Sequence, residues 1–233
     1  MSHNAGEIFM EYAPATRTRW QRAVILAVPA CYGFLGVVHP TENPGLGDPT
    51  NLWIGLHLVQ LVLIGAMGWV FWMLVDGLQS RAATLVRALI LPYVVLYTAM
   101  DAILGIAWGL VAREAGQLPP GDQSAAGRLL DDLIADDPTI AGLALYFGAG
   151  LAFFAVVAAT VAALDTAPPT ARWLLAAGGL LFAVGHVRPI GPVAATLITV
   201  AFAIATRAPR SGRRRDVDVA SGAGHAIAPP AGC

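Results

Sequence analysis

The chain has 233 residues, 57% of them hydrophobic and only 12% charged, whereas soluble domains carry nearer a quarter of charged residues. That composition excludes an ordinary soluble fold and leaves room for one helical bundle in a lipid bilayer. The formal net charge of -1 names no partner, since the charges are segregated into loops and ends. No phosphate-binding loop or basic surface points to nucleic acid.

All fourteen basic residues are arginine. With abundant alanine, glycine and proline, this points to a GC-rich, bacterial genome. Cys31 and Cys233 are too far apart to make a redox motif or a disulfide framework. Cys31 is expected to be a buried, inert thiol.

Residues 1–19 form a polar segment, followed by apolar runs at about Trp20–Val38, Leu52–Val75, Ala88–Ala112, Thr139–Leu164, Ala171–Val187 and Ile190–Thr206. Three of these are long enough to span with tilt; the last two are close to the lower limit of about 17 residues. They predict an all-α, polytopic integral membrane bundle of about six transmembrane helices over 20–206, the last pair being short spans and not one re-entrant hairpin. Between the third and fourth runs, 113–138 is read as an external loop. Within it Leu129, Leu130, Leu133 and Ile134 mark one face of a short surface helix. Asp137-Pro138 then starts the fourth span as cap and first-turn proline. The Arg-, Gly- and Pro-rich stretch 207–233 lacks a core and is read as a disordered cytoplasmic tail.

Arginine placement orients the bundle. With the N-terminus inside, eleven arginines (17, 19, 22, 81, 87, 172, 207, 210 and 213–215) lie on cytoplasmic segments and three (113, 128 and 188) on external ones. This asymmetry places both termini in the cytoplasm of a bacterial cell, with the protein multi-pass in its plasma membrane.

Asp101 lies in the middle of the third run, where a carboxylate costs at least about 2.5–3.5 kcal/mol on insertion scales. No arginine shares its depth, so Gln60, Tyr97 or a water is expected to hydrogen-bond it; only an ionised carboxylate would need a cationic partner such as a bound metal. At a rise of 1.5 Å per residue, His57 and His186 each lie roughly 10 Å outward of their span midpoints, with His39 slightly further out. Side-chain tilt lets these three imidazoles converge, because His57 leans outward while His39 and His186 lean inward. Arg188 belongs to the same layer. Asp101 is expected deeper, beneath the histidines, with Gln60 bridging to them.

Matched imidazoles on different helices are the arrangement that ligates a b-type haem, or a divalent metal such as zinc. His39, His57 and His186 are therefore candidate metal ligands, and Asp101, Gln60, Tyr97 and Arg188 candidate ligand-binding partners. Nothing matches a catalytic motif. Alkaline-ceramidase-like membrane hydrolases combine histidines and an aspartate with seven spans, an HxxxH pair and an intramembrane serine. This chain has none of those three marks, as every serine lies outside the spans. The competing functions are a small transporter or channel subunit that uses Asp101 for proton or cation coupling, and a membrane scaffold or accessory subunit. Expected partners are the bilayer and either a second copy or a membrane subunit. On the third run Gly105 and Gly109 form a GxxxG for close helix packing.

Overall fold

A computed structural model describes residues 17–40, 50–135, 142–186 and 188–207. The described residues are helical throughout, joined by turns. The polar N-terminal segment up to 16, Glu42, Asp137-Pro138 and the tail from 208 lie outside them.

Local chemistry sets the helix limits. Thr18 begins α1 (Arg19–Val38) with a reciprocal capping box: Gln21 N–H donates to the Thr18 hydroxyl, and Thr18 N–H to the Gln21 side chain. α2 (Thr50–Val75) ends in a turn at Gly77, whose φ of 74° lies in the left-handed region that suits glycine. Arg87 reinforces that end by donating to the Val75 and Leu78 carbonyls at 2.9 and 3.0 Å, satisfying acceptors that a helix C-terminus leaves free. Ser80 caps α3 (Arg81–Met100) through its hydroxyl, which accepts from Ala83 N–H.

The third span does not stop at Met100. It passes through a π-helical stretch, Asp101–Ala107, into α4 (Trp108–Ala115), so that Arg81–Ala115 is one rod of 35 residues. Pro92 lies within it. α5 (Pro120–Ala135) follows a turn held by Gln123, which donates to the Gly116 and Leu118 carbonyls. α6 (Gly142–Ala163), α7 (Pro169–Val184) and α8 (Ile190–Arg207) complete the described residues.

The spans close into a ring: α1 packs on α2, α2 on α3, α3 on α6, α6 on α7, α7 on α8, and α8 back on α1. Lipid tails are as apolar as leucine, so close packing and not water exclusion must hold such helices together. Phe71, Tyr93, Phe153 and Phe202 fill the centre with edge and tilted ring contacts. Val62, Leu91 and Leu151 face outward, each about 70% exposed, as lipid-facing positions should. Cys31 faces outward too. The expectation of a buried thiol fails because Tyr32, its neighbour, takes the inward position on α1.

Among the described residues five helices are long and apolar enough to cross a membrane; α7, with 16 residues, is shorter. It nevertheless runs antiparallel along α6. A Cβ at Gly179 would press on Val157, a Cβ at Gly150 on the Ala183 carbonyl, and Tyr146 donates to Val184. The protein is an all-α, polytopic helical bundle. Arg17, Arg87 and the Leu74–Leu78 turn meet at one end, where Arg17 donates to the Leu74 carbonyl at 2.8 Å. The histidines gather at the other.

Candidate functional site

His39 is the C-cap of α1, and its backbone N–H donates to the Leu35 carbonyl. That anchor turns its ring toward the interior, where the residue is 3% exposed. His57 lies one turn after Trp53 on the same face of α2, and both are buried. The ring centroids of Trp53 and His57 are 4.5 Å apart, those of His39 and His57 5.0 Å, and those of His39 and Trp53 4.9 Å.

The third span makes room for this cluster at Gly105. A Cβ there would overlap the His57 ring, and one at Gly109 would come within 2.8 Å of Trp53. The small-residue face therefore packs against α2 within one chain. The π-helical stretch lies at the same place, and the Gly105 carbonyl accepts the Trp53 indole N–H at 2.7 Å. A π-helix departs from the regular ladder, and such stretches recur at functional sites.

Hydrogen bonding fixes the tautomers. His39 Nδ1 lies 2.6 Å from the Pro40 carbonyl, and His57 Nδ1 lies 2.8 Å from the Trp53 carbonyl. A carbonyl can only accept, so each Nδ1 carries a hydrogen. In the neutral rings each Nε2 then presents a lone pair. Those two Nε2 atoms face each other at 3.4 Å. Asp101 Oδ1 stands 4.0 Å from His57 Nε2. Asp101 is 2% exposed, and among the described residues no donor reaches either of its oxygens. Burial holds the His39 imidazole below its ordinary range. The Pro40 hydrogen bond opposes this, and the nearby Arg188 charge adds to it. A neutral His39 keeps its Nε2 lone pair.

Asp101 thus lies beside His57 and not well beneath it. The apolar run is Ala88–Ala112, but the helix that carries it begins at Arg81 and ends at Ala115. Its midpoint falls near Thr98, so Asp101 rises toward the histidine layer, within about 4 Å of His57 in height. Gln60 is buried one turn from His57, and its Nε2 finds no acceptor among the described residues. His186 follows the end of α7; its ring centroid is 6.0 Å from those of His39 and Tyr97. Arg188 is exposed.

Among the described residues no group of three or more His, Cys, Asp and Glu side chains forms a ready metal cage. The His186 ring meets His39, Tyr97 and Phe182 edge-on or tilted, with centroids 6.0, 6.0 and 6.4 Å away. The residues do not fit a haem. Its macrocycle would have to lie between two rings whose facing nitrogens are 3.4 Å apart. Trp53 belongs to the cluster but not to the candidate residues named from the sequence. Its position four residues before His57 was the signal that it shares the histidine's face.

No protein-family model matches the chain, and neither a curated protein nor a solved structure matches it. Fold and composition define a multi-pass helical membrane protein with a buried polar cluster at its arginine-poor end.

Proposed function

We propose that this protein captures a cation in the His39–His57–Asp101 cluster, near the outer face of a bacterial plasma membrane. One observation carries the reading: with both Nδ1 atoms bonded to carbonyls, the two Nε2 atoms left with lone pairs stand 3.4 Å apart beside a buried carboxylate. Like dipoles facing at that distance repel, and an unpaired buried carboxylate is costly. A cation relieves both. Trp53 and Gly105 hold the His57 ring, while Gln60, Tyr97, His186 and Arg188 surround the pocket.

A ligand that binds only the folded state raises thermal stability. Detergent-purified protein challenged separately with Na⁺, Mg²⁺, Zn²⁺ and Co²⁺, and by pH, should unfold at a higher temperature with at least one of these cations. His57→Gln should abolish that response. A wild type indifferent to every cation would refute the reading.

A further inference from the structure

Resting on the cation-pocket reading, we infer that the cation is a late first-row divalent metal of the zinc type, bridged by His39 Nε2 and His57 Nε2 with Asp101 as the third arm. Imidazole nitrogens suit such metals, whereas Mg²⁺ and Ca²⁺ take oxygen ligands. Metal–nitrogen bonds of about 2.0–2.1 Å at a tetrahedral angle place two nitrogens about 3.4 Å apart. The two Nε2 atoms stand 3.4 Å apart. A linear ligand pair would need about 4 Å, and a right-angled square-planar pair about 2.9 Å, at the same bond length.

The outer groups agree. Ligating histidines donate their other ring N–H to a carbonyl or carboxylate, which fixes the tautomer and strengthens the ligand. Here both Nδ1 atoms donate to backbone carbonyls, those of Pro40 and Trp53. These partners belong to the main chain, so no side-chain substitution removes them. Asp101 supplies the countercharge. Its Oδ1 lies 4.0 Å from His57 Nε2, wider than the 3.4 Å between the nitrogens, so it must close inward on binding. The three groups do not form a ready cage; with Asp101 closed in, two nitrogens and one carboxylate would leave a fourth position for water or an exogenous group, as in open zinc sites.

Cobalt(II) substitutes for zinc and reports tetrahedral geometry by visible absorption. Chelator-treated protein in detergent, titrated with Co²⁺, should develop strong tetrahedral absorption that saturates at one ion per chain and that Zn²⁺ then displaces. His39→Gln and His57→Gln should each abolish the spectrum. Asp101→Asn should weaken the affinity by at least about 10–100-fold, the range known for losing even an outer-shell partner. Circular dichroism of each variant checks that the helices remain, and Asp101→Asn, the gentlest change, guards against misfolded histidine variants. Three results overturn the assignment: a Co²⁺ spectrum unchanged in both histidine variants, a six-coordinate spectrum, or no spectrum at all. If Mg²⁺, Na⁺ or acid still stabilises the wild type through His57, only the metal class fails. If no cation does, the pocket reading fails with it.

Discussion

His57 lies against the third span only because residue 105 is glycine. A Cβ at Gly105 would fall inside the imidazole, and the Gly105 carbonyl already holds Trp53 through its indole N–H at 2.7 Å. The ring cannot swing away freely, since its Nδ1 is bonded to the Trp53 carbonyl and its other edge meets His39.

Gly105→Ala should therefore destabilise the bundle by about 1–3 kcal/mol, the usual cost of overpacking a filled site. Alanine's better helix propensity, worth up to about 1 kcal/mol, offsets part of this. Thermal unfolding in detergent measures it, and Gly55→Ala, where an added Cβ meets nothing within 4 Å, serves as the control. Equal stability of the two variants would show that the contact carries no weight.

Asp101→Asn should fold and insert as the wild type does, because it keeps the volume and removes only the chargeable oxygen. The metal-free protein should be at least as stable as the wild type, since neither Asp101 oxygen has a donor among the described residues to lose. Asp101→Leu, which also removes the polar group, should behave similarly without metal. A large loss of stability in both variants would mean that the carboxylate is a structural anchor.

The stability that His39 contributes should fall on acidification. His39 lies below its ordinary value of 6.5 in the folded protein, so the unfolded chain binds more protons than the native one in the window beneath that value. The contribution of His39 is present above pH 6.5 and is lost as pH falls toward its lowered native value. His39→Gln should flatten the dependence of the unfolding temperature on pH in that window. An identical pH profile in the variant would contradict the assignment.

The arginine-rich end should face the cytoplasm. In a background without Cys31 and Cys233, a cysteine placed at Gly121, on the histidine side, should react with an impermeant thiol reagent added to intact cells. One at Ser80 should react only after permeabilisation. The reverse pattern would invert the bundle and put the histidine pocket inside.

Much of the fold is legible in the residues. Long apolar runs and the distribution of arginine define the spans without any tertiary information. The shared layer of His39 and His57 follows from helix rise alone. Two parts did not. Asp101 was set too deep because Arg81 and Arg87 were read as ending the span, while the helix carries both into the rod, where Arg87 caps α2. The π-helical stretch at Asp101–Ala107 leaves no signature in apolar periodicity, so the fit of Gly105 under His57 needed coordinates. The His186 ring reaches His39 at 6.0 Å between centroids, while also meeting Tyr97 and Phe182, contacts that helix rise alone does not reveal.

Nitrogen NMR of the histidine rings in zinc-loaded, detergent-solubilised protein tests the central claim most directly. The account predicts that His39 and His57 both carry their hydrogen on Nδ1, with both Nε2 resonances moved by the metal and returning when it is removed by chelation. An Nε2–H persisting in either ring under saturating zinc would mean that the two lone pairs do not converge on a cation, and would contradict it.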